Sequence, residues 1–363
     1  MLQKEGAVRI SSGCAISGII DKRGRRFDGN DIITSIALMH ERSNGLGGGF
    51  AAYGIYPEYR DFYALHVFYE SDEAKAKAED YITEHFVIET CGRIPTRKVK
   101  GITKIPHIWR YFVRANQAKL INAELTEDEF VAQCVISVNA KGYGAYVFSS
   151  GKNMGCFKAL GYPEEVGEFY MLDTYKAYSW TAHGRFPTNT PGWWGGAHPF
   201  TILDWSVVHN GEISSYDANR RFIEMFGYHC ILQTDTEVMA YLFDFLVRKQ
   251  GLSLETAAHV VAAPMWDKIS RMNDEDKAYY TALRLAYSSA LVSGPFSILL
   301  GYNGGMLALN DRSKLRSLIA AETEEKVYFS SEEASIRIIC RNPDKIWSVD
   351  GGKPIIVDVR GKV

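Results

Sequence analysis

The sequence predicts an α+β protein built on antiparallel sheets. Strand signals come in clusters joined by turns. Long helical patterns follow them as a block. No repeated βαβ alternation and no internal repeat runs through the 363 residues. With 46% hydrophobic residues the chain is large enough for one big domain or two ordinary ones.

The elements follow in order. Residues 15–20 are short and apolar and end at Asp21-Lys-Arg-Gly, which reads as a buried strand and a turn. Residues 31–41 place Ile32, Ile33, Ile36, Met39 and His40 at near-helical spacing, with Asn30 or Asp28 available as a cap. The glycine run 45–49 lacks the G-x-G-x-x-G spacing of a dinucleotide loop. It reads as a helix stop leading into a strand over 50–56. Residues 57–135 read as an insertion: a strand at 62–69, a helix over 71–86, a return strand at 87–89 and a basic loop over 93–104. Thr126-Glu-Asp-Glu129 then opens a helix with a capping-box pattern. Strands return at 145–149, 177–182 and 205–208. Helices are expected over 235–248, 254–263 and 274–288, the last with its aromatic stretch in the core. A hairpin over 296–309 and a strand at 326–329 close the reading.

Composition excludes several classes. Charged residues are 23% and the formal net charge is −2, so no basic excess points to nucleic acid. No stretch approaches the roughly 20 apolar residues that span a bilayer, and the N-terminus has no apolar core of a secretory signal. The six cysteines are scattered, with no C-x-x-C pair, and the histidine spacings are not those of a metal-binding helix. No metal site and no cofactor site is expected. A reducing cytoplasm suits such thiols.

Four segments concentrate reactive residue types: Gly13-Cys14-Ala15-Ile16-Ser17-Gly18; His183-Gly-Arg185-Phe-Pro-Thr188-Asn189-Thr190 with His198-Pro-Phe200 after it; His209-Asn210-Gly211-Glu212; and Gln233-Thr234-Asp235-Thr236-Glu237. A cysteine supplies a thiolate nucleophile, and an N-terminal one also supplies its α-amine, with a pKa near ~8, as base. Asn-Gly offers a side-chain and a backbone N–H to one oxygen, although it is also a favoured hairpin turn. An arginine fork grips a carboxylate. An aspartate binds an ammonium, although Asp235 also suits a helix N-cap.

Together the segments resemble those of the class II glutamine amidotransferases, which are N-terminal-nucleophile hydrolases. In particular they are similar to the amidotransferase domain of glutamate synthases. Phe329-Ser-Ser-Glu-Glu333 resembles the family's closing strand-to-helix element. The resemblance implies a four-layer αββα sandwich. It implies Cys14 as nucleophile, Asn210 and Gly211 as oxyanion hole, Arg185 on the substrate α-carboxylate and Asp235 on its α-ammonium, with Thr188 and His198 shaping the pocket. It implies L-glutamine as substrate, hydrolysed through a γ-glutamyl thioester. The ammonia would go to a glutamate-synthase partner whose subunits carry the flavin and iron–sulfur clusters. Pro187 departs from the small residue many relatives have there. So does the start: thirteen residues precede Cys14, which predicts a leader, 1–13, cleaved between Gly13 and Cys14 to leave a domain over 14–363. Two alternatives stay open. The ammonia could feed a different synthase, or, with the leader retained, the chain could be a non-catalytic glutamine-binding regulatory subunit.

Overall fold

The computed structural model of the chain describes residues 13–186 and 192–360. The apolar run after Cys14 becomes the strand Ala15–Asp21, buried at all seven positions. It pairs antiparallel with Ser179–Gly184 on one side and Lys326–Ser330 on the other. These are central members of a seven-stranded sheet in the order Lys345–Ser348, Ile319–Glu322, Lys326–Ser330, Ala15–Asp21, Ser179–Gly184, Gly48–Tyr53, Met154–Ala159. A five-stranded sheet packs against it, in the order Phe200–Ile202, Trp205–Gly211, Phe296–Tyr302, Gly305–Asn310, Ile355–Asp358. Every pairing within the two sheets is antiparallel.

Ile16, Ile20, Val208, Leu299, Met306 and Phe329 fill the space between the sheets. Gly18 sets how closely they approach: a Cβ there would sit 2.8 Å from Leu299 Cδ1 and 2.9 Å from Met306 Sδ. Helices Asn30–Ala37 and Pro163–Phe169 cover the outer face of the larger sheet, and Asp235–Asp244 covers that of the smaller. Helix, sheet, sheet and helix make the four-layer αββα sandwich.

The structure departs from the sequence reading at several elements. The first helix is Asn30–Ala37, capped at Gly29 without a side-chain bond, and a separate 3₁₀ turn holds His40–Arg42. Asp28 instead accepts from the Asn30 N–H at 3.0 Å in a local turn. The strand His107–Ala115 and the helices Pro163–Phe169 and Tyr216–Glu224 are further elements that the sequence reading does not assign. His107–Ala115 pairs with Tyr63–Tyr69 and Phe86–Arg93, and Ala145–Ser149 completes a separate four-stranded antiparallel sheet. That sheet therefore reaches past the 57–135 stretch. Thr126 does cap its helix, accepting from the Glu129 N–H at 3.3 Å. The Glu129 carboxylate instead pairs with Arg248 and Lys249, 2.6 and 3.0 Å away. The helix Asp274–Ala286 has no buried residue, so its aromatics are not core. Tyr279 and Tyr280 instead pack edge-on against the His259 ring.

The glycine run 45–49 does more than stop a helix. A Cβ at Gly49 would fall on the His198 carbonyl oxygen and 2.7 Å from that of Phe157, while one at Gly47 would press on Arg185 Cδ at 3.1 Å. The run lets two functional segments lie against the strand Gly48–Tyr53. Gly49→Ala is expected to destabilise the fold by about 2–3 kcal/mol, the upper range for overpacking a rigid backbone contact. Urea unfolding of the variant against the parent checks it.

Candidate active site

Cys14 stands where the central strand leaves the sandwich. Its Sγ accepts from the Phe186 N–H at 3.3 Å, and its carbonyl accepts from Arg42 Nε at 3.0 Å. Arg42 is in turn paired with Glu332 at 2.9 Å. The residue is thus fixed by its neighbour strand and by a tethered guanidinium. Beside it opens a cavity of about 630 Å³ whose wall includes Cys14, Arg185, His198, His209, Gly211 and Asp235. Residues up to about 220 positions apart in the chain are gathered there by the antiparallel topology.

Arg185 follows the strand Ser179–Gly184 and is buried. Its N–H donates to the Gly47 carbonyl at 2.9 Å. Burial pulls its guanidinium below the ordinary range, against the raising influence of Cys14 and Asp235. Asp235 is the first residue of the helix Asp235–Asp244, and Thr234, not Asp235, is the N-cap. The Asp235 carboxylate accepts from the Ile213 N–H at 3.0 Å and from the Thr236 hydroxyl at 3.1 Å, with His209 Nδ1 at 3.5 Å. Burial alone would raise it. The His209 ring, the Ile213 N–H and the Thr236 hydroxyl outweigh burial and hold it below the usual aspartate range.

Three buried histidines support this wall. His183 and His198 stack at 3.8 Å between ring centroids. His183 Nε2 meets the His209 carbonyl at 2.9 Å, and a carbonyl only accepts, so the proton sits on Nε2. The Thr236 hydroxyl receives His198 Nε2 at 2.8 Å and His209 Nδ1 at 3.1 Å. A hydroxyl has one proton and two lone pairs. Donating to Asp235, Thr236 accepts from both rings, which fixes both tautomers. The three other ring nitrogens then need no proton, and they are the ones that lack partners among the described residues. Burial also pushes His183 down to about 3 and His198 well below the usual histidine range. Their role is to hold Thr236 and the Asp235 side of the wall, and among the described residues no histidine, cysteine or carboxylate group forms a metal cluster.

The chain is similar in sequence to known proteins. A family model described as class II glutamine amidotransferases matches residues 66–230. An uncharacterized protein of Archaeoglobus fulgidus is 49% identical over 346 residues, covering 94% of this chain and 91% of that one. The large chain of glutamate synthase [NADPH] of Bacillus subtilis is 28% identical over 243 residues, covering 60% of this chain and 15% of that one. Among solved structures, the glutamine phosphoribosylpyrophosphate amidotransferase from B. subtilis superposes with a TM-score of 0.47 at 12% identity, over 95% of this chain and 47% of that one. The chain belongs to the class II glutamine amidotransferases.

Two expected residues of the amidotransferase sit differently from a simple hairpin turn. Asn210 and Gly211 end the strand Trp205–Gly211, and Gly211 has φ 144°, a value that excludes side chains. A Cβ there would fall on the Pro295 carbonyl oxygen. Gly211 lines the cavity, whereas the Asn210 side chain is buried behind it, with Nδ2 3.1 Å from Ser331 Oγ. Thr188 lies outside the described residues, as does Pro187. Sequence reasoning passed over Thr236 and Ser331, although both lie inside quoted motifs. It had no signal at all for Lys158.

Lys158 is 1% exposed and donates to the Gly195 and Pro199 carbonyls at 2.9 and 3.3 Å. It clasps the segment that carries His198. Burial pushes the Lys158 amine down to about 7, against the nearby Cys156 and Glu237. Unfolded, a lysine titrates near ~10.4. Between about 7 and that value the unfolded chain binds a proton that the fold releases, so this group makes stability rise with pH, by up to ~1.4 kcal/mol per unit. Lys158→Met is expected to be less stable and to lose that rise. Urea unfolding of both proteins at pH 7.5 and 9.5 reads the difference.

Among the described residues no helix is long and apolar enough to cross a membrane.

Proposed function

We propose that this amidotransferase is a glutaminase subunit that hydrolyses L-glutamine at Cys14 and supplies the ammonia to a glutamate-synthase partner. One observation carries the reading. Cys14, Arg185 and Asp235, a nucleophile, a cation and an anion, meet on the wall of one cavity. Glutamine is a zwitterion with a side-chain amide. Arg185 would grip its α-carboxylate and Asp235 its α-ammonium, leaving the amide carbon to Cys14.

The Cys14 sulfur attacks the amide carbon and forms a C–S bond. The negative charge goes to the amide oxygen, which Gly211 N–H and the Asn210 carboxamide would receive. The thiol proton passes to the α-amine of Cys14 and then to the leaving nitrogen. The C–N bond breaks, and ammonia departs. Water adds to the γ-glutamyl thioester, the C–S bond breaks, and glutamate is released with the thiol restored.

That cycle needs a free α-amine, so we propose cleavage between Gly13 and Cys14. With the amine in a peptide bond, enclosure pushes the Cys14 thiol up to about 11; Phe186 N–H and Arg185 hold it down, Asp235 and Glu212 push it further up. At pH 7 such a thiol is thiolate in about one molecule in 10⁴. This favours a second reading for the uncleaved form: a chain that binds glutamine and does not turn it over.

The glutamate-synthase partnership is supported by the 28% identity to the large chain from B. subtilis. Flavin and iron–sulfur clusters belong, on this proposal, to that partner. The free state of all six thiols supports a cytoplasmic setting. An amidotransferase feeding another synthase would share the site and differ in the proteins that copurify.

The deciding experiment is the intact mass of protein purified from its own host, before and after reaction with a glutamine-like diazo-ketone. Loss of residues 1–13 and one adduct on Cys14 are expected. An intact leader with no adduct would sink the catalytic reading for that form. On the cleaved protein, Arg185→Lys is expected to raise the KM for glutamine about 10- to 100-fold, because the lysine loses the two-point grip. Steady-state kinetics check this, and an unchanged KM removes Arg185 from the carboxylate site.

A further inference from the structure

Ser331 follows the strand Lys326–Ser330 and is 1% exposed. Its Oγ lies at the junction of three elements. It accepts from the Ile16 N–H at 3.1 Å, two residues along the strand from Cys14. Asn210 Nδ2 also points at it from the facing sheet, at 3.1 Å. This arrangement leaves two groups unmet among the described residues. Asn210 Oδ1 is buried with no hydrogen-bond partner. The Ser331 hydroxyl proton has no acceptor, because both of its hydrogen bonds are accepted ones. An unmet buried polar group costs about 1–3 kcal/mol.

A half-turn of the Asn210 carboxamide about its Cβ–Cγ bond meets both needs. The serine proton then goes to Asn210 Oδ1, and Ser331 Oγ still accepts from Ile16. The carboxamide NH₂ takes the place of the buried, orphaned oxygen, on a residue whose chain neighbours His209 and Gly211 both line the cavity. An amide oxygen and nitrogen exchange without any change of shape, so packing does not oppose the turn.

We propose that Ser331 is a positioning residue: its hydroxyl donates to Asn210 and holds the Asn210 NH₂ toward the Cys14 cavity as an oxyanion donor. The inference rests on the proposed reaction and adds to it a residue that touches no substrate. It also ties the donor to the nucleophile. The same oxygen fixes the backbone at Ile16, so Cys14 and the Asn210 carboxamide are registered through one atom. Nδ2 facing Ser331 would leave the cavity an acceptor where the growing negative charge needs a donor.

Two measurements test it. A neutron structure of the deuterated full chain reads the amide orientation with no need for turnover. Deuterium on the Asn210 nitrogen facing the cavity, with a serine deuteron on Oδ1, is expected. A carboxamide whose nitrogen faces Ser331 overturns the proposal. Kinetics of the processed protein give the second reading. Ser331→Ala is expected to lower kcat at least about tenfold with KM within about twofold, and Ser331→Thr, which keeps the hydroxyl, is expected to restore most of it. Removing an oxyanion donor outright costs about 10²–10³ in kcat. In Asn210→Ala the further change Ser331→Ala is therefore expected to cost little. Equal kcat losses from Ser331→Ala with and without Asn210 would overturn the proposal, as would a threonine variant no better than alanine at matched folded fraction. Cys14→Ala separates the two levels. If it leaves glutaminase activity intact, the proposed reaction fails; if it abolishes activity while Ser331→Ala is harmless, only the serine inference fails.

Discussion

The strand Ala15–Asp21 is hydrogen-bonded on both edges and packed on both faces, by the partner sheet on one side and by the helix Asn30–Ala37 on the other. Cys14 is the first residue beyond that clamp. Its neighbours then follow from register alone. Ala15 opposite Gly184 places Arg185 and Phe186 beside the thiol, and Ser17 opposite Ser330 places Ser331 beside Ile16. A one-residue slip would reverse the faces of a strand buried on both sides, and a side chain at Gly18 would press on Leu299 and Met306 of the facing sheet. The site is therefore a consequence of strand pairing before it is a set of side chains.

Around the clamp, buried polar groups do the positioning work and carry little charge. Three buried histidines donate hydrogen bonds to Thr236 and to a backbone carbonyl, and burial favours the neutral form of His183 and His198. A lysine brought down to about 7 binds two backbone carbonyls instead of a carboxylate. This matters for Arg185. Cationic histidines next to it would weaken its hold on an anion and raise the cost of burying all of them. Neutral rings give rigidity without that cost. The charges that bear on Cys14 are then Arg185, Asp235 and Glu212.

The sequence made some of this readable for clear reasons. A continuous apolar run ending in a turn marks the central strand, and the hairpin of Phe296–Tyr302 with Gly305–Asn310 has a short connection with turn residues. Reactive residues inside short motifs stood out because their chemistry is specific. What stayed hidden depends on distance. Nothing near Lys158 in the chain foretells that it reaches Gly195 and Pro199, and nothing near Ser331 foretells Ile16 and Asn210. The strand His107–Ala115 was missed because its pattern, with Arg110 and Arg114 among aromatics, has no clean alternation; the arginines are accommodated by stacking on Tyr56 and Phe62. The opposite error occurred over 274–286. Its aromatics suggested core, but they lie on a peripheral helix, where tyrosine can cover a surface with its ring and keep its hydroxyl in water.

The electrostatics of Cys14 also bear on why such a site would be built in two stages. A thiol held near 11 by enclosure is stable against oxidation and stray alkylation, since both chemistries follow the thiolate. The enclosure is needed anyway, because fixed donors and a fixed cation act strongly only where water is excluded. This protein keeps the site enclosed, where the Phe186 N–H and Arg185 do not offset the burial of the thiol. It can supply a base within reach. On the proposed reading the α-amine of Cys14 is that base, delivered at the correct distance by covalent connection and absent until the Gly13–Cys14 bond is cut. Protection of the thiol and its later activation then need no rearrangement of the clamped strand: the same packing that suppresses the thiolate also positions the amine that replaces it.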